Sequence, residues 1–311
     1  MSEAYTGRFA PSPTGPLHFG SLVSALASYL DARAHHGRWL LRIEDIDPPR
    51  EVSGAAASIA RQLDAHGLHW DGEILYQSER AAQYRDALQR LAATGLLFLC
   101  DCTRERLRRL GGNYDGACRH RVLTGPDPAG SGFSVRIRTG DAAAIHFTDW
   151  LSGLSVTSDL EATGGDFVLR RRDGLFAYQL AVAVDDAAQS ITHVVRGNDL
   201  LESTPRQIFL LRALGLPVPV YGHVPVVTDA AGRKLSKQNH APALDVARAG
   251  DNIFRALARL GQNPPSAAAG ASVAELLRWG SQHWSPRAVW QGRAPNITKS
   301  TILHYQGDEK V

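Results

Sequence analysis

The stretch FAPSPTGPLHFGS, at residues 9–21, places one imidazole between a turn-forming segment and an apolar run. Its prolines and Gly15 predict a tight turn after a short strand, and an apolar-periodic helix is predicted to follow. A helix N-terminus attracts phosphate through unpaired backbone N–H groups, and glycine allows a ligand to approach the backbone closely. There His18 can donate a hydrogen bond to a phosphoryl oxygen, with Gly20 and Ser21 beside it. The stretch is therefore a candidate phosphate site, although His18 taken alone fits a purely structural turn equally well.

A basic loop stands much later in the chain, in VVTDAAGRKLSKQNH at residues 226–240. A predicted strand and a glycine turn precede Lys234 and Lys237, which are three positions apart. Two mobile ammonium groups suit a pyrophosphate leaving group, because point charges can follow it as it departs. Taken singly, the loop also fits a solvated basic surface. Together with His18, Lys237 is a candidate catalytic residue for a reaction of a nucleoside triphosphate.

Several polar residues are predicted at the exits of strands, where ligands bind in open α/β sheets. Glu44 ends RWLLRIE, Arg196 ends THVVR, and Arg8 and Ser12 flank the exit of the first strand. A ligand with two carboxylates and one ammonium needs cations, an anion and hydroxyl donors in one place, and arginine suits carboxylates. A strand-end ion pair explains Arg196 or Glu44 equally well when either is taken alone. Tyr178, in the apolar run FAYQLAVAVDD, is predicted to be a half-buried core residue within a strand.

All three cysteines of the chain fall within CDCTRERLRRLGGNYDGAC, at residues 100–118. Cys100 and Cys102 are separated by one residue, and Cys118 follows a glycine-rich turn. Grouped thiolates in a polar segment favour a zinc site over a disulfide or over buried apolar cysteines. Several candidates for a fourth ligand remain, namely His120, Asp101, Tyr114 and a water molecule. Because tyrosine is a rare zinc ligand, chemistry alone favours His120.

The composition is that of an ordinary globular protein, with 311 residues, 44% hydrophobic and 21% charged. A formal net charge of +3 does not demand a polyanionic partner, although TRERLRRL, VLRRRDG and GRKLSK are compatible with a local basic face. An odd number of cysteines argues against a disulfide framework. The chain has no apolar signal segment and no stretch of about 18 apolar residues, so we expect a cytoplasmic protein that does not associate with membranes. Because nothing indicates a large exposed apolar face, we expect a monomer.

Strand-like and helix-like segments alternate along the chain, which predicts an α/β fold with a largely parallel sheet. Helices are predicted for SLVSALASYLDARAHHG, AAASIARQLDAHGL, RAAQYRDALQRLAATGL and TPRQIFLLRALGL. Strands are predicted for YTGRFAPS, RWLLRIED, FSVRIR, GDFVLRR, FAYQLAVAVDD and ITHVVRG. Glycines and cysteines interrupt this rhythm at 98–160, which indicates an insertion. The predicted organisation is a first catalytic half at 1–97, that insertion, a second half at 161–240, and a helical segment with a tail at 241–311.

Two of these motifs, HFGS at 18–21 and KLSKQ at 234–238, resemble the two signatures of class I aminoacyl-tRNA synthetases. The stretches GRFAPSPTGPLHFGS, RIEDID, FAYQLAVAVDD and VVRGNDLLESTPRQ are similar to the glutamyl subgroup, over about residues 5–260. The chain departs from the class I pattern at Ser21, where the general motif has histidine, and at Gln238, where serine is usual. The resemblance implies a Rossmann-like parallel-sheet catalytic domain with an inserted zinc-containing, acceptor-type subdomain and a short helical C-terminal segment.

The same resemblance implies a reaction and a set of site residues. ATP with Mg would be a substrate, and L-glutamate would become glutamyl-adenylate. The residues implied for ATP are His18, Gly20, Ser21, Lys234 and Lys237, with His18 and Lys237 catalytic. The residues implied for glutamate are Arg8, Ala10, Ser12, Glu44, Tyr178 and Arg196. An arginine would bind the side-chain carboxylate of the substrate, and Glu44 would bind the α-ammonium.

The cysteine pattern narrows the resemblance to truncated paralogues of glutamyl-tRNA synthetase, in which a tyrosine completes a zinc site. This implies that Cys100, Cys102, Tyr114 and Cys118 bind one structural zinc. Only residues 239–311 follow Gln238, so no anticodon-binding domain is expected. Such paralogues transfer glutamate to queuosine, the modified wobble base of tRNA(Asp), so the implied partners are L-glutamate, ATP and tRNA(Asp) carrying queuosine. The alternatives are a glutamyl-tRNA synthetase that charges a terminal ribose, a small-molecule nucleotidyltransferase and a non-catalytic RNA-binding paralogue.

Overall fold

The computed structural model describes residues 4–111, 114–125, 132–140, 144–228, 235 and 241–291, together with the backbone of 302–304. The strands in these residues are β1 (Thr6–Phe9), β2 (Arg38–Ile43), β3 (Leu75–Tyr76), β4 (Leu97–Cys100), β5 (Ser134–Ile137), β6 (Ile145–Thr148), β7 (Ser155–Ser158), β8 (Phe167–Arg170), β9 (His193–Gly197), β10 (Val220–Val224) and β11 (Ile302–His304). The α-helices are α1 (Phe19–Ala34), α2 (Ala55–Ala65), α3 (Ala81–Ala93), α4 (Arg104–Arg109), α5 (Tyr178–Ala188), α6 (Thr204–Ala213), α7 (Ala249–Arg259) and α8 (Val273–Gln282).

Parallel strands form the centre of the fold. β1 pairs in parallel with β2, β2 with β3, and β9 with β10. The backbone N–H of Thr192, next to β9, donates to the carbonyl oxygen of Thr6 in β1 at 2.9 Å, which places the two groups of strands side by side. The predicted α/β fold with a parallel sheet is therefore confirmed. Because strands lie on both sides of β1, its carboxyl end is the topological switch point, where ligands bind in such sheets.

Helix α1 packs on this sheet through a nearly continuous buried face. Leu22, Leu26 and Leu30, at helical spacing, have no exposed surface, and each contributes about 1.5–3 kcal/mol relative to an exposed side chain. Helices α7 and α8 belong to the same apolar cluster through Leu257 and Leu276. This packing fixes the start of α1, and with it the residues of the HFGS motif, beside the switch point.

The segment FAYQLAVAVDD is a helix and not the strand that its sequence predicts. α5 spans Tyr178–Ala188 and packs in one apolar cluster with α3 and α6. Short apolar runs fit a buried strand and a buried helix equally well, and here packing on several sides selects the helix. Tyr178 therefore lies in the first turn of a helix, and the buried Asp185 and Asp186 lie in its last turns.

The middle of the chain forms antiparallel structure. One sheet has the order β4-β5-β8, and a second joins the hairpin of β6 and β7 to the backbone of β11. The hairpin touches the central sheet, since the N–H of Trp150 donates to the carbonyl oxygen of Tyr221 in β10 at 3.0 Å. Within the described residues, no helix has both the length and the apolar character that a membrane span requires.

Candidate active site

The carboxyl ends of β1, β2 and β9 open into a cavity of 420 Å³. Nine of the eleven residues predicted for glutamate or ATP line it, namely Arg8, Ala10, Ser12, His18, Gly20, Ser21, Glu44, Tyr178 and Arg196. The other two, Lys234 and Lys237, lie outside the described residues. Polar residues that the sequence did not point to also line the cavity, namely Thr14, Ser24 and Asp199. One hollow at the switch point therefore brings together the described residues of both predicted sites.

His18 caps the N-terminus of α1. Its Nδ1 accepts a hydrogen bond from the backbone N–H of Ser21 at 3.2 Å, as the side chain of an N-cap residue does. In the neutral ring the proton then lies on Nε2, which makes Nε2 a donor. A Cβ atom at residue 20 would lie 3.1 Å from Cε1 of His18, so Gly20 leaves room for the imidazole. His18 is therefore held in a tautomer that can donate to a phosphoryl oxygen.

The described residues around the predicted KLSKQ loop border the same cavity. Leu235 lines it, and the backbone N–H of Leu235 donates to the carbonyl oxygen of Val227, another lining residue, at 2.8 Å. After the loop, Ala243 forms an antiparallel bridge with His18. The chain that precedes and follows the predicted basic loop is thus attached beside the N-terminus of α1.

Arg8 in β1 is held by an aspartate that the sequence reasoning missed. Its Nε donates to Oδ1 of Asp186 at 3.1 Å, and Nη2 of Arg42 donates to the same oxygen at 2.7 Å. Burial acts to raise the pKa of Asp186, but the charges of Arg42 and Arg8 outweigh it and hold that pKa below its usual value. The acidic pair that ends FAYQLAVAVDD was the available signal, because buried carboxylates are rarely left without cationic partners.

Glu44 follows β2 directly and is 8% exposed. Burial raises the pKa of Glu44 to about 7, although the charge of Arg42, whose Nη2 lies 3.6 Å from Oε1, acts to lower it. Tyr178 lines the same cavity, and its pKa is raised by burial first and then by the Glu44 carboxylate. A positively charged ligand group beside Glu44 would favour its ionised form, so the position suits an ammonium.

Arg196 in β9 is 5% exposed, and the groups around it fix the plane of its guanidinium. Nη1 donates to Oε1 of Gln207 at 2.9 Å, Nη2 to Oγ1 of Thr204 at 2.7 Å, and Nε to Nε2 of His223 at 3.2 Å. The aromatic ring of Tyr221 lies with its centroid 5.4 Å from Cζ. The sequence reasoning missed these partners, because only the fold brings them together. A guanidinium held in this way at a cavity suits a carboxylate ligand.

Cys100, Cys102 and Cys118 bring their Sγ atoms within 4.8 Å of one another. Tetrahedral zinc with Zn–S bonds of about 2.3 Å places sulfur atoms roughly 3.8 Å apart, so this group can hold a metal. Tyr114 is buried beside the thiols, and its hydroxyl accepts a hydrogen bond from the N–H of Cys118 at 2.8 Å. His120 is exposed and its Nδ1 contacts a backbone carbonyl oxygen. Tyr114 therefore lies beside the three thiols, and this cluster does not line the cavity.

A family model for the catalytic domain of class I tRNA synthetases (E and Q) matches residues 5–278. Proteins named glutamyl-Q tRNA(Asp) synthetase are similar along nearly the whole chain. The one from Ectopseudomonas mendocina (strain ymp) is 50% identical over 293 residues, which are 94% of this chain and 97% of that protein. The one from Pectobacterium atrosepticum is 48% identical over 98% of this chain and 93% of its own length. The one from Escherichia coli O157:H7 is 51% identical, over 95% and 94% respectively.

Solved structures share the fold. A glutamate-tRNA synthetase from Elizabethkingia anophelis has a TM-score of 0.75 and 26% identity, and the match covers 96% of this chain and 69% of that one. A glutamate tRNA ligase from Elizabethkingia meningosepticum, in complex with its amino acid, has a TM-score of 0.74 and 28% identity. This match covers 92% of this chain and 66% of that one. The methionyl-tRNA synthetase of Mycobacterium tuberculosis matches with a TM-score of 0.58 over 83% and 64%. At 12% identity, this last likeness concerns the fold alone.

Proposed function

The chain belongs to the class I tRNA synthetases of the E and Q group, and from this premise we propose that it activates L-glutamate with ATP and transfers it to queuosine in tRNA(Asp). Relatives of about 50% identity, matched over nearly their full length, carry the name glutamyl-Q tRNA(Asp) synthetase. The protein is accordingly a ligase that forms an adenylate. The observation that carries the choice of glutamate is the set of charges in the cavity.

Those charges are complementary to glutamate. Arg8 and Arg196 supply two guanidinium groups for the two carboxylates, and Glu44 supplies one carboxylate for the α-ammonium. Arg196 binds the side-chain carboxylate in this proposal, because the groups behind it fix its guanidinium at the wall of the cavity. Tyr178 and Ser12 add hydroxyl groups at the same place. An amino acid with an uncharged side chain would supply no negative charge to the buried guanidinium of Arg196, whose hydrogen bonds go to neutral groups.

The proposed activation step needs no nucleophile from the protein. An oxygen of the glutamate α-carboxylate attacks the α-phosphorus of ATP, the bond to the bridging oxygen breaks, and pyrophosphate leaves with the magnesium ion of the substrate. His18 donates from Nε2 to the phosphoryl oxygen on which charge develops. Lys234 and Lys237 are proposed, from the sequence, to neutralise the departing pyrophosphate. Positioning and charge stabilisation then account for the rate.

In the proposed transfer step, a hydroxyl oxygen of queuosine attacks the carbonyl carbon of glutamyl-adenylate. The bond from this carbon to the phosphate oxygen breaks, AMP leaves, and the hydroxyl proton is released to solvent. No protein residue forms a bond in this step either. The proposal for the acceptor depends on the named relatives, which share about half of their residues with this chain.

We further propose that Cys100, Cys102, Cys118 and Tyr114 hold one structural zinc ion. Cys100 at the end of β4 and Cys102 just after it would hold the ion together with Tyr114 and Cys118, and a bound zinc would cross-link these two segments. Its role is in folding, because the four side chains lie away from the cavity.

The acceptor is tested with radiolabelled glutamate, ATP and purified tRNAs. We expect label on tRNA(Asp) that contains queuosine and none on tRNA(Asp) that lacks it. Removal of the 3′-terminal adenosine should leave the labelling intact, because the acceptor is a base. Label on a glutamate tRNA that requires the terminal adenosine would instead identify a glutamyl-tRNA synthetase, the activity named for the Elizabethkingia anophelis structure. A chain that labels neither tRNA would contradict the proposal.

A further inference from the structure

Asp149, His223 and Arg196 form a buried line of hydrogen bonds that ends at the cavity. Nδ1 of His223 lies 2.5 Å from Oδ2 of Asp149, and Nε of Arg196 donates to Nε2 of His223 at 3.2 Å. Asp149 and His223 are each 1% exposed. We propose that Asp149 and His223 are positioning residues that hold the Arg196 guanidinium for the side-chain carboxylate of glutamate. This inference rests on the proposed function.

The neighbours of His223 determine which of its nitrogens carries the proton. An arginine Nε always carries hydrogen, so Nε2 of His223 must accept from Arg196. The hydroxyl of Thr204, 3.2 Å from the same Nε2, already accepts from Nη2 of Arg196 and can donate to the ring. The proton of a neutral ring therefore lies on Nδ1, where it is donated to Asp149. Burial lowers the pKa of His223, which keeps the ring neutral.

Asp149 is itself held in place by the turn between β6 and β7. Its Oδ1 accepts hydrogen bonds from the backbone N–H of Ser152 at 2.9 Å and from the Ser152 hydroxyl at 2.8 Å. The other oxygen, Oδ2, is the one that faces His223. One carboxylate oxygen of Asp149 therefore binds the turn, and the other binds the ring of His223. In this way the β6–β7 hairpin orients Arg196, near the end of β9, through His223.

The substitution Asp149→Asn tests the inference sharply. The amide oxygen can keep the bonds to Ser152, whereas the NH₂ group takes the place of Oδ2 and can only donate. His223 must then accept at Nδ1 and carry its proton on Nε2, which faces the N–H of Arg196. Two donors in contact displace the guanidinium. In glutamate-dependent pyrophosphate exchange we expect KM for glutamate to rise about 10- to 100-fold, with kcat and KM for ATP within about threefold.

A second substitution should restore recognition. His223→Gln keeps a carbonyl oxygen that can accept from Arg196, and this acceptor does not depend on the group at residue 149. We expect the double variant Asp149→Asn/His223→Gln to bind glutamate better than Asp149→Asn alone, which a merely structural loss would not produce. Asp173→Asn, the same change at an exposed aspartate that pairs with Arg171 and does not line the cavity, is the matched control and should keep the wild-type KM.

The tautomer is also measurable without any substrate. Nitrogen-15 NMR of the histidine rings, with the His223 signal assigned by its loss in His223→Gln, should show the proton on Nδ1 in the wild type and on Nε2 in Asp149→Asn. A wild-type ring protonated on Nε2, or on both nitrogens at neutral pH, would overturn the inference. An active wild type with an unchanged KM in Asp149→Asn would also overturn it. A wild type without glutamate-dependent exchange would overturn the proposed function. The NMR measurement would still test the hydrogen bonds between Asp149, His223 and Arg196, because it needs no substrate.

Discussion

Arg8 and Asp186, 178 positions apart in the chain, form a buried ion pair in which Nε of Arg8 lies 3.1 Å from Oδ1 of Asp186. The same oxygen also accepts from Arg42 at 2.7 Å, and Arg42 in turn lies beside Glu44. One carboxylate at the end of α5 therefore orients a cation and, through Arg42, the anion of the candidate glutamate site. This relationship makes the stability of the fold and the geometry of the site depend on the same residue.

Replacing Asp186 should destabilise the protein strongly. Asp186→Ala leaves two buried guanidinium groups without their shared partner, and we expect the free energy of unfolding to fall by about 3–5 kcal/mol. Urea denaturation followed by circular dichroism measures this change. Asp173→Ala, which removes an exposed partner of Arg171, is the control and should cost no more than about 1 kcal/mol. Equal stability of the two variants would refute the importance of the pair.

The contribution of Asp186 to stability should also depend on pH. Because the pKa of Asp186 is lowered in the fold, this contribution is fully present above the ordinary pKa of 3.8 and is lost as the pH falls through the lowered pKa.

Glutamate binding should depend on pH through Glu44. The raised pKa of about 7 means that Glu44 is largely protonated below that pH, and only its carboxylate attracts the α-ammonium of the substrate. We expect affinity to increase as the pH rises from 6 to 8, measured by isothermal titration calorimetry with glutamate and without ATP. Glu44→Gln should lose this dependence and should bind glutamate more weakly than the wild type at pH 8, with the difference shrinking towards pH 6. A wild-type affinity that is flat across this range would exclude the assignment.

The raised pKa of Glu44 also affects the stability of the fold, which Glu44 should lower as the pH rises. Since the folded pKa lies above the ordinary value of 4.5, Glu44 favours folding most at low pH, and its contribution decreases as the pH rises from 4.5 to about 7. Glu44→Gln should therefore gain stability relative to the wild type over this interval, as shown by thermal unfolding at several pH values. A variant with no such relative gain would indicate that the carboxyl is not protonated in the fold.

Arg196 should be required for efficient use of glutamate. Arg196→Ala removes the cation proposed for the side-chain carboxylate, and we expect kcat/KM for glutamate to fall at least about 30-fold. This corresponds to a loss of about 2–5 kcal/mol of transition-state stabilisation. Glutamate-dependent pyrophosphate exchange measures this loss, with the exposed Arg212→Ala as control. Full retained activity of Arg196→Ala would reject the role.

His18 should act on the chemical step and not on glutamate binding. His18→Asn keeps a side-chain oxygen that can cap α1, so the fold should be retained, but it removes the donor at Nε2. We expect the exchange rate to fall about 10²- to 10³-fold, while the affinity for glutamate stays within about twofold. A variant with wild-type kcat would show that the imidazole serves only as a helix cap.

Metal analysis should find one zinc ion per chain. Tyr114→Phe removes the proposed fourth ligand, and we expect a chelator to extract zinc from it at least about 10-fold faster than from the wild type. His120→Ala, which changes an exposed neighbour, should retain the metal as the wild type does. Purified protein without zinc would contradict the site, and metal loss in His120→Ala alone would reassign the fourth ligand.

Local motifs made much of the candidate site predictable from the sequence. His18, Gly20 and Ser21 follow one another at a helix N-terminus, so their placement depends only on a turn and the start of α1. Glu44 and Arg196 close apolar strands, and the carboxyl ends of parallel strands share one edge of a sheet. By contrast, FAYQLAVAVDD was predicted wrongly, because a short, nearly continuous apolar run has no periodicity that separates helix from strand.

By itself, the sequence determined which chemical groups stand at the ends of which elements, because caps, turns and strand exits depend on neighbours a few positions away. Only the tertiary structure decided the partners of the charged groups. Asp186 reaches Arg8, and Asp149 reaches Arg196 through His223, because packing brings α5 beside β1 and sets the β6–β7 hairpin against β10. Such contacts join residues far apart in the chain, and the free energy of burying a charge is favourable only where the assembled fold supplies the opposite charge.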